Sequence, residues 1–192
     1  MTKKVLIISA SPRRNSNSDT LSNQFMLGAQ EAGHDVEKVF LRDKNIKYCT
    51  GCYVCEKTNG VCAYKDDMPE LLQKIIDADV LVFSTPMYFY CMNAQLKTVI
   101  DRTVARYTEI KDKDAYLIAT AGEDGMHAME GTITSFRGFL DCLENVTERG
   151  LILGHKVHEI GEVRQTPYMQ QAYDAGLNVG KYETQTQQEA IA

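Results

Sequence analysis

The sequence predicts one α/β domain in which a parallel sheet is covered by helices on both faces. Three observations predict it. Short, wholly apolar runs recur, among them Val5-Leu6-Ile7-Ile8 and Val80-Leu81-Val82-Phe83. Such a run suits a strand buried on both faces of a parallel sheet. Stretches with helical apolar spacing separate the runs, the pattern of strand–helix–strand units with right-handed crossovers. At 192 residues and 44% hydrophobic, the chain is long enough to bury a sizeable core within one domain. No repeat or linker divides it, so residues 1–192 read as a single unit.

The elements follow in order. Residues 5–8 form the first strand. Residues 20–32 form a helix, with Leu21, Phe25, Gly28, Ala29 and Ala32 at helical spacing and Gly33 suited to the C-cap. Residues 35–41 alternate imperfectly through Val36, Val39 and Leu41 and read as a second strand near a sheet edge. A long connection, residues 42–65, carries four of the six cysteines and reads as a functional insertion. Asp66 and Asp67 cap the next helix, which has Pro69 in its first turn and Met68, Leu71, Leu72, Ile75 and Ile76 as its stripe. Residues 79–84 form the third strand. Residues 93–106 form a helix with Leu96, Val99, Ile100 and Val104 on one face. A fourth strand over 115–121 and a helix over 127–144 come next. A fifth strand starts at 151–153. The last helix spans 167–179, with Thr166 as its N-cap and Pro167 at its first position. The tail from Glu183 reads as frayed or packed on a partner.

Composition excludes several function classes. The net charge is −5 and Lys and Arg form no basic stripe, which argues against nucleic acid. No apolar run approaches the ~20 residues of a membrane-spanning helix. The apolar run at 5–8 is also too short for a secretory signal, so the expected location is the cytoplasm. In that compartment clustered cysteines suggest metal or redox chemistry rather than disulfides.

In an open parallel sheet the ligand lies beyond the carboxyl ends of the strands. Three loops at that edge carry chemistry. The first holds Ser11, Arg13, Ser16, Asn17 and Ser18 and opens onto a helix N-terminus, where free N–H groups favour an anion. Hydroxyls add neutral donors and Arg13 adds charge and a planar fork. It has neither the Gly-Lys-Ser/Thr of a Walker loop nor the glycines of a dinucleotide fingerprint, which favours a monophosphate. The alternative is a polar turn with an ordinary cap. The second loop clusters Pro86, Met87, Tyr88 and Phe89, side chains suited to cover a flat ring or to plug a core or subunit interface. The third, with Ala121, Gly122 and Gly125, brings backbone amides close to a ligand or is a plain glycine turn. Phosphate, flat ring and backbone donors together describe a flavin mononucleotide (FMN) site.

These residues resemble a family pattern. Ser11-Pro12-Arg13 with Asn15 to Ser18, Gly51-Cys52 through Cys55, Gly60, Cys62, Asp66-Asp67-Met68, Asp79, Pro86-Met87-Tyr88, Lys97 and Asp101-Arg102 are similar to the flavodoxin-like NAD(P)H-dependent FMN reductases, and within them to the iron-sulfur flavoproteins. The resemblance implies a three-layer sandwich with a five-stranded parallel sheet of order 2-1-3-4-5, and non-covalent FMN. It also implies a homodimer or homotetramer. It places the phosphate on Ser11, Arg13, Ser16, Asn17 and Ser18. The ring falls to Pro86, Met87, Tyr88 and Phe89, with Ala121 and Gly122 also lining its site. The implied reaction is reduction of flavin, quinone, azo or nitro acceptors by NADH or NADPH, with no side-chain nucleophile. One departure is Phe89, where the family often has Trp.

Cys49, Cys52 and Cys55 are two residues apart and Cys62 follows after six. Four thiolates so spaced can wrap a [4Fe-4S] cluster, and the motif resembles that of the iron-sulfur flavoproteins. Zinc or free thiols remain open. Tyr48, Tyr53 and Val54 are expected to shield a cluster. Such a protein would carry electrons from ferredoxin. A third reading is a flavin-binding redox sensor without turnover. Cys142 reads as buried packing, as does Cys91. His127 is a solvated loop residue or a proton donor to substrate. His34, His155 and His158 show no ligand-like grouping.

Overall fold

The computed structural model describes residues 1–181. Its strands are β1 (Lys4–Ser9), β2 (Asp35–Phe40), β3 (Val80–Tyr88), β4 (Cys91–Met92), β5 (Lys111–Thr120) and β6 (Glu144–Gly154). Its helices are α1 (Asn17–Glu31), α2 (Val54–Lys57), α3 (Met68–Asp77), α4 (Ala94–Arg102), α5 (Glu130–Leu140) and α6 (Tyr168–Leu177). Five strands pair in parallel in the spatial order β2-β1-β3-β5-β6, which is the expected 2-1-3-4-5 order. The sixth strand, β4, was not expected. It pairs antiparallel with the end of β3.

Alternate residues of the central strands enter two cores. Leu6, Ile8, Leu81, Phe83 and Leu117 face the core completed by Leu71, Leu96 and Phe136. Val5, Ile7, Val80, Val82 and Ile118 face the core completed by Phe25 and Ala172. This is why the strands read as unbroken apolar runs. On the second face α1 crosses α6 at close range. A Cβ on Gly28 would overlap the Tyr173 carbonyl, and one on Gly176 would overlap that of Phe25.

Several boundaries differ from expectation. β3 continues through Pro86 to Tyr88, so three residues assigned to a loop lie on a strand. The register ends its parallel pairing at Pro86, opposite Thr120, and Met87 and Tyr88 then pair with Met92 and Cys91. A proline has no N–H for the ladder, which fits the end of parallel pairing. β6 begins at Glu144, seven residues before the apolar run that signalled it. Its first half is an edge, half exposed and held by ion pairs such as Arg149–Asp114 and Arg137–Glu148, so hydrophobicity could not mark it. Thr166 does not cap α6, because its hydroxyl donates to the Val163 carbonyl at 2.7 Å. Asp66 rather than Asp67 accepts the Met68 N–H at the start of α3. Cys142, expected inside, is exposed. The tail from Glu183 lies outside the described residues. Among those described, no helix is long and apolar enough to cross a membrane.

Candidate functional site

The loop after β1 runs into the N-terminus of α1. Ser16 is the N-cap, and its Oγ accepts the Asp19 N–H at 3.2 Å. The N–H groups of Asn17 and Ser18, in the same first turn, have no acceptor among the described residues. Buried N–H groups without partners at a helix start form an anion site. Beneath them Asp19 is buried and receives Lys38 Nζ, the Ser9 hydroxyl at 3.3 Å and the Arg42 guanidinium at 3.7 Å. Burial pushes the Lys38 amine down from its usual value, against the raising effect of Asp19. Arg42 lies 4.2 Å over the Phe40 ring and reaches the Arg13 carbonyl at 3.5 Å. Asp19 thus lies between two cationic side chains, and Arg42 also lies 3.8 Å from Asp43.

The cradle opens into a cleft. Ser11, Arg13, Ser16 and Asn17 line one end of it, and Pro86, Met87 and Tyr88 line another part. Arg14 pairs with Asp43 at 3.3 Å, whereas Arg13 has no carboxylate partner among the described residues. Ser11 Oγ accepts the Arg13 N–H at 3.2 Å and shapes the turn. Gly122 lines the cleft against His158, and a Cβ there would lie 2.9 Å from the His158 ring.

Four expected contacts are not brought in. The Ser18 hydroxyl is fully buried, 3.3 Å from Ser16 Oγ and away from the cleft. Ala121 faces the core, its N–H bonded to Gly154 and its carbonyl to Val157. Phe89 is fully exposed. It and Tyr90 form the two-residue tip of the β3–β4 hairpin at φ of 50° and 60°. A turn with positive φ at both positions points Phe89 off the sheet end. Asn17 lines the cleft, but its carboxamide is fully used elsewhere. Its nitrogen donates to the carbonyls of Val157 at 3.1 Å and Glu159 at 2.8 Å. Its oxygen accepts from Gly161 at 3.0 Å and Val163 at 3.4 Å.

Asn17 thereby docks the loop after β6, a fourth wall the sequence reading missed. Val157, His158 and Ile160 reach the cleft from it, and Thr120 reaches it from the end of β5. Glu162 accepts the N–H groups of His158 and Glu159 at 2.6 and 2.9 Å, and Glu159 lies 2.9 Å from His158 Nδ1. The missed signal was the rule already applied to the other strands: the loop after the last parallel strand ends at the same edge. His127 is exposed and packs on Tyr90 at 5.2 Å between centroids.

The cavity is about 160 Å³, below the ~300–1,000 Å³ usual for small-molecule sites. It suits the phosphate and sugar-alcohol end of FMN, with a flat ring lying over its open part. The orphaned N–H groups, the unpaired guanidinium and the glycine that admits His158 fit that group.

The cysteines form a second region. Cys49, Cys52, Cys55 and Cys62 are free thiols, and all four line one cavity of about 290 Å³ with Tyr64, Arg102 and Ala105. Among the described residues no three His, Cys, Asp or Glu side chains converge on a single metal ion. A cuboidal cluster takes four thiolates, one on each iron, so four cysteines lining one cavity fit it in donor type and number. Tyr53 lines the cavity although it is 63% exposed, whereas Tyr48, 72% exposed, does not line it.

Arg102 and Asp66 tie this stretch to the domain. Their side chains are 2% and 0% exposed and pair through both guanidinium nitrogens, at 2.7 and 3.0 Å. Burial alone would raise the Asp66 carboxyl. The hydrogen bonds from Arg102, Lys47 and Met68 outweigh it and hold that carboxyl below its usual range.

Comparison with known proteins adds to the geometry. The pattern of the family described as NADPH-dependent FMN reductase matches residues 3–146. An iron-sulfur flavoprotein of Archaeoglobus fulgidus is 36% identical over 99 residues, 52% of this chain and 44% of the relative. Another, from Methanocaldococcus jannaschii, is 38% identical over 100 residues, 52% of this chain and 51% of the relative. The matched segments span about half of those relatives' lengths. The structure of an NAD(P)H:quinone oxidoreductase from Methanothermobacter marburgensis superposes with a TM-score of 0.74 over 95% of this chain and 98% of that one. At 24% identity it is similar in fold.

Proposed function

The chain belongs to the NADPH-dependent FMN reductase family, and from that premise we propose that it is an FMN-dependent NAD(P)H oxidoreductase delivering electrons to a small-molecule acceptor. One observation carries the reading. The α1 N-terminus, with free N–H groups at Asn17 and Ser18 and an unpaired Arg13, shares a cleft with Pro86, Met87 and Tyr88. When bound, FMN supplies the hydride chemistry. The chain's own residues bind and orient. The N–H groups of Asn17 and Ser18, the hydroxyls of Ser11 and Ser16, and the Arg13 fork take the phosphate. Pro86, Met87 and Tyr88 form the wall against which the ring rests. Gly122, His158 and Ile160 form a further wall of the cleft. Quinones, flavins, azo dyes and nitro compounds are the proposed acceptors.

The test is steady-state oxidation of NADH and of NADPH with a quinone, FMN or an azo dye. The expected result is turnover with at least one donor. No turnover with either overturns the reading. Assembly as a homodimer or homotetramer is proposed from exposed Tyr88, Phe89, Tyr90 and Met126 near the cleft mouth. Light scattering coupled to size-exclusion chromatography checks it.

A second reading rests on a different observation, four thiols around one cavity. In it Cys49, Cys52, Cys55 and Cys62 hold a [4Fe-4S] cluster, which supplies one-electron transfer, and ferredoxin is the proposed donor. Iron and sulfide near cluster stoichiometry in anaerobically purified protein support it. Colour from flavin alone overturns it.

A further inference from the structure

Two opposite charges buried at 2% and 0% exposure are costly to bring out of water, and the flavin cleft makes no use of them. Their surroundings give them a task. Arg102 Nη1 donates to Asp66 Oδ2 at 2.7 Å and to the Lys47 carbonyl at 2.6 Å. Its Nη2 donates to Asp66 Oδ1 at 3.0 Å and to Cys62 Sγ at 3.4 Å. Asp66 in turn accepts the N–H of Lys47 at 3.0 Å. The Tyr64 ring lies 5.2 Å from the guanidinium carbon. Both ends of the cysteine stretch, at Lys47 and at Cys62, therefore meet on one rigid fork.

We propose that Arg102 positions and tunes the cysteine site: it fixes Cys62 in place and, through a charged N–H···S hydrogen bond, raises the reduction potential of the iron-sulfur cluster bound there. The proposal rests on the second reading above. The four cysteines differ in what reaches them. Cys49 Sγ receives a neutral backbone N–H from Gly51 at 3.5 Å, whereas Cys62 receives a guanidinium. A planar fork held by a carboxylate and a carbonyl cannot swing away, so its remaining N–H stays aimed at the sulfur. An added electron makes the cluster and its sulfurs more negative. A donor with positive charge at one sulfur then stabilises the reduced state more than the oxidised one. Glu56 and Asp101, which line the same cavity, and Asp66 itself act in the opposite sense. The contact directed at sulfur is the one that favours reduction.

The experiment uses anaerobically purified full-length protein and reads iron content and cluster midpoint potential by spectroelectrochemical titration. Arg102→Met combined with Asp66→Leu removes both buried charges together, so neither is left alone. Arg102→Lys keeps the charge but loses the second donor arm. The expected order of midpoint potentials is parent highest, Arg102→Lys lower and, in the fraction that keeps iron, the double variant lowest; undiminished iron in the double variant overturns the positioning role. Equal potentials in the parent and the iron-loaded Arg102→Lys protein overturn the proposal. Should the double variant lose iron while Arg102→Lys keeps it, the positioning role is supported and the Lys variant alone decides the tuning. A parent protein without iron and sulfide overturns the cluster reading itself, an outcome distinct from unchanged potentials.

Discussion

The flavin cleft and the cysteine stretch are held by different means. The cleft stands on the carboxyl ends of β1, β3, β5 and β6, and its donors at the cradle are largely backbone N–H groups at a helix start. Sheet and helix hydrogen bonds fix those positions many times over. The cysteine stretch has one four-residue helix, and its two ends, at Lys47 and Cys62, converge on one buried ion pair, Arg102–Asp66. A strand edge spreads its support, whereas a long insertion concentrates it. One substitution in the second region should therefore do what several are needed for in the first.

The largest effect tests that contrast directly. Arg102→Ala leaves Asp66 buried and unpaired and is expected to destabilise by about 3–5 kcal/mol. Urea unfolding reads the loss, and hydrogen exchange should place it first at residues 47–66. Uniform loss across the sheet would break the comparison. Next, Arg13→Ala is expected to weaken FMN by about 1.5–3 kcal/mol, the range for a hydrogen bond to a charged group, and riboflavin hardly at all. Equal weakening of the two in a fluorescence titration would remove Arg13 from the phosphate. Asn17→Ala should cost about 1–2 kcal/mol of affinity for FMN and riboflavin alike, because it frees the loop after β6 rather than a phosphate contact. Faster amide exchange over residues 157–163 without flavin should accompany it. A loss confined to FMN would mean the carboxamide holds phosphate.

The smallest effect is one of pH. Asp66 has a folded pKa below its unfolded value of about 3.9. Its contribution to stability is therefore fully present well above that value and is lost as pH falls through the folded pKa. Between pH 7 and about 5 the ion pair should add no pH dependence. Below about 4 the cysteine stretch should loosen before the sheet, seen as amide exchange at Lys47. Loosening at pH 6 would mean another group holds the stretch.

Most of the cleft was legible because its determinants are local. Ser16 caps a helix and Arg13 stands in a turn, and the apolar runs place both at a strand end. Asn17 lines the cleft with its carboxamide engaged elsewhere, while the Ser18 and Phe89 side chains do not line it. Which way a side chain turns depends on partners distant in sequence, as with Asn17 and the carbonyl of Val157. The wall carrying His158 went unnoticed although its strand was recognised, because the loop after the last strand carries no glycine-rich or hydroxyl-rich run to mark it as a ligand loop. Of the two tyrosines read as shields, Tyr53 lines the cysteine cavity and Tyr48 stands exposed outside it, a difference that no local pattern marks.

The sequence alone determined the alternation of strands and helices, the helix start that cradles an anion and the cysteine spacing, because backbone periodicity, capping and ligand spacing are properties of neighbours along the chain; the strand order came only from the family resemblance. Tertiary structure alone decided that Asn17 holds a loop, that His158 faces the cleft and that Arg102 reaches Cys62 from 40 residues away. Those contacts exist only once the parallel sheet has brought its strand ends together and the insertion has closed on α4, and no local pattern records which distant partner a polar side chain will meet.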